Sequence, residues 1–238
     1  MFANRPRHVG DEPKGLRRIA VGSMIGLAAG IAGLVLPVAL ILLATYAPGT
    51  LFLPGPQLVQ VTAIMALAGA ILFAVSLLVY RLGFAALGPY DHRFWSASIL
   101  CLVGTVGVLL IVVAIALAFV SSNAMADCIQ GAPTKALTCL HTAAPLSAYS
   151  GIVGAWLLWL GGLGIVVGIA LAGIRYRGGW FYGGAGLYAL LLLGLLAPVL
   201  GLLFPVSALT YPILAAPALA LIAPAAIFEG SNRALGRR

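Results

Sequence analysis

Charged side chains are scarce in this sequence. It has 13 Lys and Arg and 5 Asp and Glu among 238 residues, so 8% of the residues are charged while 63% are hydrophobic. An average soluble domain is about 25% charged, because charges must cover a surface that faces water. The composition excludes an ordinary soluble protein and predicts that lipid surrounds most of the surface.

Ionisable groups are absent from the long apolar segments, and this limits the chemistry that the protein can perform there. The segments 19–46, 57–80, 94–122, 146–174 and 180–228 contain no Asp, Glu, Lys, Arg or His. Proton-coupled carriers, ion pumps and voltage sensors depend on such groups inside the bilayer. Haem ligation in a membrane needs His on the helices, and no phosphate-binding glycine motif is present. We therefore expect no enzyme activity, no catalytic residue, no metal and no cofactor.

The apolar segments have the lengths of membrane-spanning helices. About 20 apolar residues cross the roughly 30 Å core of a bilayer, and the segment 180–228 is long enough to cross it twice if it turns back near Pro205. We predict an all-α integral membrane protein in which the six-helix membrane domain covers 19–228, between basic tails at 1–18 and 229–238. The predicted helices are 19–46, 57–80, 94–122, 146–174, 180–204 and 206–228.

Basic residues are concentrated on one side of the predicted bundle. With six crossings, the segments 1–18, 81–93, 175–179 and 229–238 share a side and hold every Lys and Arg except Lys135. Basic loops stay in the cytoplasm during insertion, so we predict cytoplasmic N and C termini in the cell membrane. The net charge of +8 then reflects topology and contact with anionic lipid, and no nucleic-acid partner is expected.

Glycines recur four residues apart on two predicted helices. Gly22, Gly26 and Gly30 follow this spacing on the first helix, and Gly164 and Gly168 follow it on the fourth. Residues four apart lie on one helical face, where small side chains let another backbone approach closely. These glycines are predicted to be helix-packing residues. The partner helix is either in the same chain or in a second subunit, and the spacing is compatible with both.

Prolines are frequent in the last long apolar segment. Pro205 and Pro212, with the hydroxyl of Thr210 between them, form a candidate broken-helix site. An interior proline removes a helical hydrogen bond, and the broken helices of transporters expose carbonyl groups to ions or substrates. The alternative is that these prolines only determine the shape of the helices.

Cysteine is rare, with three residues in the chain. Cys128 and Cys139 lie in the predicted outer loop, and we expect a disulfide between them because loop thiols outside the cytoplasm are usually oxidised. Metal binding with His141 is the weaker interpretation, since these residues offer only three ligands and no C-x-x-C spacing. Cys101 lies within the third predicted helix and is expected to behave as an inert apolar residue.

Two functional hypotheses follow from these patterns. The first is a non-enzymatic accessory, assembly or scaffold subunit that acts through helix–helix contacts, because glycine faces are many and polar groups are few. Its partner would be another membrane protein or a second copy of the chain, with the lipid bilayer around it. The alternative is a transporter or channel for a small neutral or apolar solute, built on the proline-broken helices.

Overall fold

The structure is a computed structural model that describes residues 12–46, 55–120, 145–201 and 210–236, and all regular elements in these ranges are helices. The elements are α1 (Glu12–Gly30), a π-helical turn (Ile31–Val35), α2 (Leu36–Tyr46), α3 (Gly55–Leu87), α4 (Arg93–Val120), α5 (Pro145–Tyr176), α6 (Gly179–Gly201) and α7 (Thr210–Gly236). The all-α prediction is thus confirmed for the described residues.

Four helical stretches are long and apolar enough to cross a membrane. They are Glu12–Leu40, Gln60–Leu87, Arg93–Leu117 and Pro145–Tyr176. Their outer faces expose large apolar side chains at helical spacing, and on α4 Ile99, Val106 and Leu109 are 58%, 46% and 56% exposed. Such a stripe is unfavourable in water but is an ordinary surface in lipid. The lengths and the outer surface together indicate a membrane protein.

The helices pack as a closed ring. α1 contacts α3, and α3, α4, α5, α6 and α7 then pack against one another in chain order. α7 packs against α1, which closes the ring. Sequential neighbours are expected when short connections join antiparallel helices. The six packed helices surround an interior, and the candidate functional site lies there.

The helices extend beyond the apolar segments from which they were predicted. α1 begins at Glu12 rather than at 19, α3 continues to Leu87 rather than ending at 80, and α7 reaches Gly236 rather than 228. Parts of the two predicted basic tails are therefore helical. Hydropathy detects the part of a helix that lies in hydrocarbon, whereas Lys, Arg and Glu are themselves good helix formers.

Charged residues from distant parts of the chain meet at one end of the ring. The Arg175 Nε donates to the Glu12 carboxylate over 3.0 Å, and the Tyr176 hydroxyl donates to the same oxygen over 2.9 Å. The Arg18 guanidinium donates to the Leu82 carbonyl. We call this the charged end; it also holds Arg233, whose guanidinium lies 5.0 Å from the centroid of the Trp180 ring.

The three polar residues Asp91, His92 and Arg93 lie at the start of α4 and have a structural role at this end. The Asp91 carboxylate accepts a hydrogen bond of 2.9 Å from the backbone N–H of Arg93. Arg93 is the first residue of α4, so Asp91 satisfies one of the N–H groups that have no acceptor within the helix.

Next to the charged end, the ring is filled by aromatic side chains. Tyr80, Phe84, Phe94 and Phe181 are each 0–1% exposed, and we call them the aromatic core. The rings of Tyr80 and Phe84 stack at 5.9 Å between centroids, and those of Phe84 and Phe94 at 6.2 Å. Three helices contribute to this packing, which closes the interior of the ring at the charged end.

Candidate functional site

A cavity of about 350 Å³ lies in the interior of the ring. The π-helical turn and each of the helices α1 and α3 to α7 contribute to its wall; representative residues are Gly33, Ala66, Val108, Trp159, Tyr188 and Ala220. Ligand sites in proteins are usually concave, mostly apolar and about 300–1,000 Å³ in volume. The cavity meets these criteria and is the candidate functional site.

The cavity lies deep along the helices, beyond the aromatic core. Phe94 of the aromatic core is the second residue of α4, while Val108 of the cavity wall lies fifteen residues after Arg93. At about 1.5 Å per residue this is roughly 22 Å from the charged end. A hydrocarbon core is about 30 Å thick, so a molecule in the cavity would lie at membrane depth.

Small residues keep this part of the interior open. A side-chain carbon added at Gly33 would lie 3.0 Å from the Gly69 Cα, so α1 and α3 approach each other through their backbones. Ala66, Ala70 and Ala155 also line the space with no more than a methyl group. Close backbone contact holds such helices together in lipid, but it leaves no side chain long enough to fill the axis of the ring.

The π-helical turn adds to this irregularity on α1. The backbone N–H of Leu36 bonds to the Ile31 carbonyl, five residues back, and Pro37 follows directly. Pro37 has no N–H, and its ring would crowd the Gly33 carbonyl in an uninterrupted α-helix. The wider turn accommodates the proline, and Gly33 and Leu34 of this turn line the cavity.

Of the described residues in the wall, two have polar side chains and the others are apolar. The Trp159 Nε1 donates a hydrogen bond of 3.1 Å to the Leu192 carbonyl, which joins α5 to α6. Tyr188 is 3% exposed, and within the described ranges its hydroxyl forms no hydrogen bond. A buried hydroxyl usually has a hydrogen-bond partner. Because the Tyr188 hydroxyl has none among the described residues, it is available to donate to a molecule in the cavity.

Neither Trp159 nor Tyr188 was predicted from the sequence to be part of a site. Trp159 contacts α6 through its hydrogen bond and also lines the cavity. Tyr188 carries a signal that could have been used, because it lies well inside an apolar helix, whereas most tyrosines of this chain lie near predicted membrane interfaces. A tyrosine at such depth needs a polar partner.

The predicted glycine face of α1 packs against helices of the same chain. A side-chain carbon at Gly22 would lie 3.3 Å from the Tyr80 ring, and one at Gly26 would lie 3.1 Å from the Ser76 Oγ. At Gly30 it would lie 3.0 Å from the Ala220 carbonyl oxygen. Of the two interpretations that the spacing left open, the structure has packing within the chain.

The glycines of α5 are also enclosed by the chain itself. A side-chain carbon at Gly164 would lie 2.7 Å from the Leu100 Cβ on α4, and one at Gly168 would collide with the Phe84 ring. Gly168 therefore makes room for the aromatic core. Each glycine of the predicted packing set contacts another helix of the same ring.

The remaining predicted residues do not gather at the cavity. Pro205, Cys128 and Cys139 lie outside the described residues, so the disulfide stays a prediction.

Thr210 is the first residue of α7 and Pro212 lies in its first turn, where a missing N–H removes no helical hydrogen bond. Pro224, further along α7, lines the cavity instead. Cys101 is 0% exposed in the apolar core.

Comparisons of the chain with protein-family models, with curated proteins and with solved structures find no match. The cavity and its wall are therefore the features of the molecule that bear on its function.

Proposed function

We propose that this protein is a transporter that binds a small neutral, largely apolar solute in the cavity inside the ring. The observation that supports the proposal is the cavity of about 350 Å³, to which helices from the whole length of the chain contribute. A site shared by all these helices changes shape when any of them moves, which is what transport through a helical bundle requires. Solute binding of this kind needs no catalytic group and no cofactor.

The proposal includes the transmembrane arrangement predicted from the sequence. The chain would cross the cell membrane six times with both termini in the cytoplasm, because the charged end collects basic residues from separate parts of the chain. Reporter fusions test this arrangement. Fusions should read in, out, in, out, in and in after Arg18, Pro54, Gly88, Pro133, Gly178 and Arg238, and an external reading after Arg238 would contradict it.

The accessory-subunit hypothesis has weaker support. It depended on a glycine face that is free to receive a partner, but Gly22, Gly26 and Gly30 pack against α3 and α7. Gly26→Leu should therefore lower the amount of folded protein and not only its co-purification with a partner. Loss of a partner at an unchanged level of folded protein would restore the accessory hypothesis.

A change at Ala66 tests the cavity directly. Ala66→Leu puts a larger side chain into the cavity, and Ala68→Leu is the matched control, because Ala68 lies on the same helix but is exposed on its outer face. The probe is 1-bromodecane, whose bromine quenches tryptophan fluorescence, in a variant that keeps Trp159 and replaces the other tryptophans with Phe. We expect Ala66→Leu to weaken binding by about tenfold, since overpacking costs about 1–3 kcal/mol.

Transport is measured separately in proteoliposomes. Octane-1,8-diol is a suitable probe, because its two hydroxyl groups slow its passage through lipid. Stopped-flow swelling should be faster with the native chain and with Ala68→Leu than with Ala66→Leu. Equal binding and equal swelling for all three proteins would contradict the proposed function.

A further inference from the structure

In the part of the chain that the structure describes, the wall of the cavity offers one free hydrogen-bond donor. Among the described residues that line the cavity, Tyr188 is the one with a side-chain hydroxyl, and Trp159 is the other with a polar side-chain atom. The Trp159 N–H is already donated to Leu192, whereas the Tyr188 hydroxyl makes no hydrogen bond within the described ranges. Tyr188 is 97% buried, as its 3% exposure shows.

An unused buried donor is unfavourable in the empty protein. A hydroxyl that loses water without gaining a protein partner keeps its desolvation cost. In hydrocarbon there is little water to relieve this cost. A ligand with one accepting oxygen would remove it, while a pure hydrocarbon would leave it in place.

We propose that the ligand is an apolar molecule with a single carbonyl oxygen, and that Tyr188 selects it by donating a hydrogen bond to that oxygen. This assignment rests on the proposed solute-binding function and adds the chemical class of the solute. The aliphatic part of the ligand would contact the small and apolar residues of the wall.

The test compares two probes of equal chain length, one of which has a carbonyl group where the other has a CH2 group. These are 10-bromodecan-2-one and 1-bromodecane, titrated into the purified Trp159-only protein in a detergent without carbonyl groups. We expect the ketone to bind about three- to tenfold more tightly, which is the range for one hydrogen bond. In Tyr188→Phe the ketone should bind no better than the bromoalkane, and the affinity for the bromoalkane should not fall.

Tyr80→Phe is the matched control. Its hydroxyl is also buried without a partner among the described residues, but Tyr80 belongs to the aromatic core and is not part of the cavity wall. The ketone preference should survive Tyr80→Phe. Both substitutions remove one oxygen and keep the ring, and thermal melting of each variant checks that it is folded.

The outcomes separate this inference from the proposed function. If both probes bind the native chain equally, or if the ketone preference survives Tyr188→Phe, the role of Tyr188 is wrong while solute binding stands. If neither probe quenches Trp159, the proposed function fails and this inference fails with it.

A last arm distinguishes a free solute from a membrane lipid, whose ester groups also carry carbonyl oxygens. Ester-linked and ether-linked phospholipids of equal chain length are added as competitors to the bound ketone. We expect equal, weak displacement by both. Strong displacement by the ester-linked lipid only would overturn the assignment to a free solute.

Discussion

The two halves of the ring interior differ, although both are lined by apolar side chains and glycines. Next to the charged end, Gly168 faces the Phe84 ring and Gly22 faces the Tyr80 ring, so each glycine makes room for an aromatic side chain. At the cavity, Gly33 faces Gly69 instead. The first arrangement fills the interior and the second leaves it open.

This difference shows that a glycine in a membrane helix can lead either to dense packing or to an open space. Small residues let helices approach closely in lipid, but the result depends on what the opposite helix presents. A large ring opposite a glycine produces dense packing, as in protein interiors generally. A small residue opposite a glycine produces backbone contact at the edge of the helix and an unfilled space beside it.

The largest effect is expected at the backbone contact between α4 and α5, which forms one wall of the cavity. A side-chain carbon at Gly107 would lie 2.5 Å from the Leu158 N and 2.7 Å from the Gly154 carbonyl oxygen. Gly107→Leu must separate two backbones, so we expect a loss of about 3 kcal/mol in the free energy of unfolding, the upper part of the range for overpacking. SDS titration in mixed micelles measures it.

Gly186→Leu is the control for Gly107→Leu. Gly186 lies on the exposed face of α6 with no atom within 4 Å of an added side-chain carbon among the described residues. The free energy of unfolding of the Gly186→Leu variant should stay within about 0.5 kcal/mol of the native value. Equal losses in the two variants would mean that the α4–α5 contact is not what stabilises the wall.

A smaller effect is expected at the charged end. Glu12→Gln removes the ion pair with Arg175, in which the two side chains are 14% and 32% exposed. The loss should be about 1 kcal/mol, near the upper limit for pairs of this kind. Glu229→Gln is the comparison, because the Glu229–Arg233 pair is more exposed and lies within one helix. If both variants lose equally little, the Glu12 contact does not tie α1 to α5.

The smallest effect is expected between the two halves, where Ser76 joins α3 to α1. The Ser76 Oγ donates a hydrogen bond of 2.8 Å to the Gly22 carbonyl. Ser76→Ala should cost about 0.6 kcal/mol, the average for hydrogen bonds between membrane helices. In Ser150→Ala the lost bonds lie within α5, so its loss should be smaller. A larger loss for Ser150→Ala would argue against a stabilising role of the interhelical bond.

The sequence was most informative about single helices. Long apolar segments without charges predicted helices, and glycines at spacing of four predicted close packing, because both depend on residues near one another in the chain. The ends of the helices were predicted too short, since Glu12 and Arg233 are charged yet helical. The candidate broken-helix site was assigned from prolines, and the cavity lies elsewhere along α7, at Pro224.

The sequence by itself determined an all-helical chain with apolar helices long enough to cross a membrane, because hydropathy and helix length are properties of one segment. The tertiary structure decided which residues face each other across the ring. It brought Gly33 against Gly69, set Gly168 against Phe84, and left Tyr188 beside an open space. A cavity forms where the side chains of several helices all fail to fill the space between them. The residue pattern of a single helix therefore cannot predict it.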